Sequence, residues 1–193
     1  MRNAILTMAP VLLTVTLTAQ GVFSNKTQSI LEKVIQDYPN HFIDIKGELI
    51  SQEQETAEYR SKLQLPGSPS CMVVLTGGQG KTYGDGCTWN CVVMDSESFA
   101  IVRDKFQEIY NQLSNSIVTT SAQKTFILSG VYEAPDEGKK CTRVVFTLLP
   151  GVGEMRRVRV GLSLHQVGVN WRIMLSVNDR DKPDEVQGAV TAN

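Results

Sequence analysis

Three markers recur along the chain at one spacing. Phe42-Ile43 is answered by Phe126-Ile127, Leu65-Pro66-Gly67 by Leu149-Pro150-Gly151, and Trp89 by Trp171, at offsets of 84, 84 and 82 residues. A repeated offset is the signature of a duplicated unit. Met94-Asp95 and Asn178-Asp179, a few residues past each Trp, keep the same register.

Each marker set follows a helical signal. In residues 26–38, Ile30, Leu31, Val34, Ile35 and Tyr38 share one helical face, and Pro39 enforces the stop. Over 97–117 the same period places Phe99, Val102, Phe106, Ile109, Tyr110, Leu113 and Ile117 together, after the capping candidates Asp95 and Ser96. Beyond each helix the period changes to two. Tyr59, Leu63 and Leu65 oppose Arg60, Lys62 and Gln64; Val158, Val160, Leu162 and Leu164 oppose Arg157, Arg159, Ser163 and His165; Trp171, Ile173, Leu175 and Val177 oppose Arg172, Ser176 and Asn178. Each reads as a strand with one wet face. Residues 142–149 are apolar on both faces, which suits a central or covered strand.

The expected fold is therefore α+β: a tandem repeat of one helix plus about four antiparallel strands, with both helices packed on one face of the sheet. The first unit spans 20–94, the second 95–179, and a polar tail follows over 180–193.

Met1-Arg2-Asn3, an apolar stretch from Ala4 to Ala19 and small residues at Ala19 and Gly21 predict a signal peptide over 1–19, with an alternative cut after Gly21. The stretch carries Pro10 and several Thr and falls short of the roughly 20 apolar residues of a membrane span. The expectation is an exported chain, periplasmic or extracellular, with no transmembrane anchor. Of the 19 Lys and Arg residues only Arg2 lies in the leader, leaving 18 against 20 Asp and Glu. That balance gives no electrostatic case for nucleic acid.

Export makes disulfides available to Cys71, Cys87, Cys91 and Cys141. On one strand Cys87 and Cys91 would stand about 13 Å apart, too far to bridge. A hairpin looping through 77–86 brings Cys71 opposite Cys91, the bridge this reading supports. Four buried thiols behaving as small hydrophobes is the reading that stays open beside it. Zinc is not expected, because the closest spacing is Cys-x-x-x-Cys and both histidines are distant in sequence.

No cofactor and no catalytic set emerge. Gly77 to Thr82 looks like a phosphate loop, but Leu75 stands where the first Gly is needed and residues 83–91 cannot open a helix. It reads as a hairpin connection. His41 and His165 read as solvated surface residues rather than acid-base catalysts, and no serine has a nucleophile-elbow setting. The feature above background is the outward sheet face, where Arg60, Lys62, Arg157, Arg159 and Arg172 would converge on a protein or envelope partner. Solvated charges on a wet face are the plain alternative, and a secreted hydrolase or a structural envelope protein are the alternative functions.

The tandem plan resembles that of the beta-lactamase inhibitory proteins, exported binders built from two helix-plus-strands units, and each half is similar in element order to the cystatins. No cystatin-type Gln-x-Val-x-Gly is present. The resemblance implies a partner surface on the exposed sheet face and assigns no functional residue.

Overall fold

The computed structural model describes residues 22–77, 86–114, 116–120 and 122–179. The leader, the phosphate-loop lookalike from Gly78 onward and the tail therefore lie outside the described residues. Two helices and nine strands follow in order: α1 (Val22–Asp37), β1 (Lys46–Gln52), β2 (Thr56–Ser61), β3 (Ser70–Thr76), β4 (Cys87–Ser96), α2 (Phe99–Leu113), β5 (Ile117–Thr119), β6 (Thr125–Ser129), β7 (Cys141–Leu149), β8 (Val158–Val167) and β9 (Asn170–Asp179). The strands form one antiparallel sheet in the order β1-β2-β3-β4-β9-β8-β7-β6-β5.

This is not the expected tandem repeat of a helix plus four strands. Nine strands form a single continuous sheet, four from the first half and five from the second, joined by a long β4–β9 ladder running from Thr88↔Asn178 to Ser96↔Trp171. The markers that suggested duplication occupy different settings. Phe42 lies in a turn at φ 59, whereas Phe126 lies within β6. Leu65-Pro66-Gly67 follows β2, while Leu149 closes β7. The reason is general: Pro-Gly turns and apolar alternation punctuate any antiparallel sheet, so similar spacing does not require a shared topology.

Burial alternates as the strand pattern requires. Val144, Phe146 and Leu148 on β7, Val158, Val160, Leu162 and Leu164 on β8, and Trp171, Ile173, Leu175 and Val177 on β9 are buried against the helices. α1 contributes Leu31, Val34 and Ile35, and α2 contributes Val102, Phe106, Ile109 and Leu113. Each such side chain is worth about 1.5–3 kcal/mol of transfer free energy. Trp89 is fully buried and its indole N–H donates to Ser61 Oγ at 3.0 Å, satisfying the one polar group it brings inside. α2 ends at Leu113, four residues short of the expected end. Ser116 Oγ donates to Gln112 C=O at 2.7 Å, diverting the last turn, and the β-branched run Ile117-Val118-Thr119 enters β5.

Two local devices brace the sheet, one within it and one at an edge. Cys71 and Cys91 are directly paired across β3 and β4 and form the disulfide read from the sequence. At the β5 edge, Gln28, Glu32 and Gln36, one turn apart on α1, take the place of a neighbouring strand. Gln28 donates to Ile117 C=O at 3.1 Å, Thr119 N–H donates to Glu32 at 2.6 Å, and Gln36 donates to Thr119 C=O at 2.6 Å. The edge that would otherwise template further strands is thereby occupied.

Candidate functional site

The sheet face opposite the helices is the broad open surface of the molecule. Strand register fixes its rows. One reads Thr147, Arg159, Asn178, Thr88, Val74 and Glu58 from β7 to β2, and the next reads Val145, Gly161, Ser176, Asn90, Met72 and Arg60. Toward the β5 margin, Ile117, Ile127 and Leu149 are cross-strand partners on three adjacent strands. They are 51, 52 and 49% exposed. A row of half-exposed branched aliphatics is an unusual thing to leave in water, and it is bordered by Val145 on the same strand as Leu149.

Of the five cations expected to converge, Arg60, Arg159 and Arg172 lie on strands that present them to this face. They are spread out. β2 and β8 are four strand positions apart in the sheet order, about 19 Å. Arg159 lies opposite Asn178, six residues along β9 from Arg172, about 20 Å. Lys62 follows β2 and donates to Asp44 C=O at 3.0 Å. Arg157 precedes β8 and pairs with Asp179 at 2.9 Å. Arg172 binds Asp95 through Nε and a terminal nitrogen at 2.9 and 2.6 Å. Arg159 donates to the carbonyls of Arg156 and Val158. Four of the five thus hold local partners that fix their side chains, so they border the face as placed charges.

Sequence reasoning missed Arg143. It lies on β7 opposite Ser163, and its guanidinium passes over β8 at Gly161, where a Cβ would come within 3.2 Å of Nη2 and 2.6 Å of Ser176 Oγ. Glycine at the centre of a central strand is the signal that would have found it, since such a glycine marks a close approach. Burial pulls the Arg143 guanidinium below its ordinary pKa. His165, opposite Arg172 on this face, is also half-buried, and burial together with the Arg172 cation holds it below the ordinary histidine value.

The other end of the sheet is polar as well. Tyr38 O–H donates to Asp179 at 2.8 Å; burial and that hydrogen bond push the phenol well above its ordinary range. Between the helices lies a cavity of about 50 Å³ lined by Thr27, Gln28, Gln112, Leu113 and Ser116, with Thr27 Oγ1 and Gln112 Oε1 unpartnered. Its size and polarity suit water rather than a substrate. Among the described residues no group of three or more His, Cys, Asp or Glu side chains is placed to hold a metal, and no helix is long and apolar enough to cross a membrane.

The resemblance to the beta-lactamase inhibitory proteins and the cystatins rested on the duplicated plan and falls with it. No protein-family model matches the chain, and no curated protein or solved structure is significantly similar to it.

Proposed function

We propose that this is an exported, non-catalytic binding protein whose partner, a protein or an envelope component, seats on the open sheet face. The observation that carries the reading is the aliphatic row Ile117, Ile127 and Leu149, half exposed on a face rimmed by arginines held in place. An apolar strip with a charged border is the anatomy of a recognition surface, the strip supplying affinity and the charges orientation. Export is supported by the Cys71–Cys91 disulfide, which belongs to an oxidising compartment, and by the N-terminal leader pattern. Cleavage after Ala19 or Gly21 leaves α1 whole.

The test compares variants on one captured partner. Ile127→Ser with Leu149→Ser removes the strip without touching the core face, and Arg159→Ser removes one bordering charge. Loss of capture with unchanged thermal unfolding supports the reading; full capture by all three substitutions together overturns it.

A further inference from the structure

The chain has two histidines, and two of its four cysteines are unbridged. Each histidine is paired with one of those thiols, the first by side-chain contact and the second by strand register. Cys87 Sγ lies 3.7 Å from His41 Nδ1. Cys141 is the direct cross-strand partner of His165. There, Gln166 N–H donates to Lys140 C=O at 3.0 Å, just outside the pair, which marks 141 and 165 as a non-hydrogen-bonded pair. In such pairs the side chains stand closest, with Cα atoms about 4.5 Å apart.

The placement of each pair is built in. His41 and Phe42 both adopt positive φ, at 55 and 59°, a conformation that residues with a Cβ avoid. Phe42 is fully buried, and Asp37 accepts from Ile45 N–H at 3.2 Å and from the Asn40 side chain at 3.2 Å, so the turn is pinned from both sides. Its result is an exposed imidazole laid on the Cys87 thiol. In the second pair, Arg143 stands two residues along β7 from Cys141, so both side chains lie on the same sheet face. Arg172 beside His165 is ion-paired with Asp95 at 2.6 Å.

One sulfur and one imidazole nitrogen make a two-donor set. Zinc needs four ligands and finds no such group among the described residues. Soft monovalent cations prefer thiolate and accept imidazole, at low coordination number. We propose that each thiol–imidazole pair binds one soft monovalent cation of the copper(I) and silver(I) class, two per chain. Binding breaks the S–H bond and releases its proton to solvent, the thiolate and the imidazole lone pair take up the cation, and no electron is transferred.

Silver(I), which needs no reductant, is the probe, added to the disulfide-intact chain in chloride-free buffer and counted by native mass spectrometry. Two equivalents are expected, one lost in His41→Asn and the other in His165→Gln, each affinity falling more than about 100-fold, beyond what an outer-shell partner alone costs. Asn tolerates the positive φ at position 41. On the unaltered protein, the ¹⁵N resonances of both imidazoles should shift on silver addition, a readout that needs no variant to fold. Binding that survives both histidine substitutions with unshifted imidazole resonances would mean that thiols alone bind, and would overturn the proposal; so would the absence of binding.

Discussion

Glu32→Ala tests the reading that α1 stands in for a tenth strand. The carboxylate accepts the Thr119 N–H at 2.6 Å, a charge-assisted bond to a backbone group at the sheet's margin. Hydrogen bonds to charged groups contribute about 1.5–3 kcal/mol, and partial exposure at this edge places the loss near the lower end, about 2 kcal/mol. For a chain of this size that lowers the melting temperature by roughly 4–8 °C. Glu32→Gln keeps an acceptor oxygen and should lose about half as much. Lys33→Ala, one residue away and exposed, is the control and should stay within about 0.5 kcal/mol. Urea unfolding measures all three. A Glu32→Ala midpoint indistinguishable from that of Lys33→Ala would refute the edge-capping argument.

Replacing Cys71 and Cys91 together by Ala should cost about 3 kcal/mol, because the bridge closes a loop with a sequence separation of 20; unfolding in urea with and without reductant checks it. The His165 pKa is lowered on folding, so the unfolded chain binds the extra proton first as pH falls. Stability from this group is present above the unfolded value of about 6.5 and is lost as pH drops through the folded value. The unaltered protein should therefore lose stability below that pH relative to His165→Gln, and parallel pH profiles for the two would contradict it.

Much of the local structure was legible because its causes are local. The stripe Ile30, Leu31, Val34 and Ile35 and the alternation in 158–164 and 171–177 follow from side-chain periods that the sequence prints directly. The Cys71–Cys91 bridge followed from strand spacing once a hairpin was assumed. Topology was harder, since turn residues such as Leu-Pro-Gly mark where a sheet turns but not which strands then pair. The helical reading over 97–117 takes in Ile117 because it fits a helical stripe, and only the Ser116 back-bond to Gln112 shows why the helix stops earlier. His41 is exposed, as its sequence setting implies, and His165 is half-buried. The thiols beside them are hidden from the sequence because they are remote in it: Cys87 is 46 residues from His41, and Cys141 meets His165 only through the β7–β8 register. Arg143 was missed for the same reason, its setting being created by Gly161 on the next strand.

The most direct test of the binding face is site-specific photo-crosslinking in the producing cells. A photoreactive residue replaces Ile127 or Val145 on the open face, or Gln107 or Glu108 on the exposed side of α2. The account predicts one discrete crosslinked species from the two open-face positions and none from α2. Equal crosslinking from both surfaces, or a species from α2 alone, would contradict it.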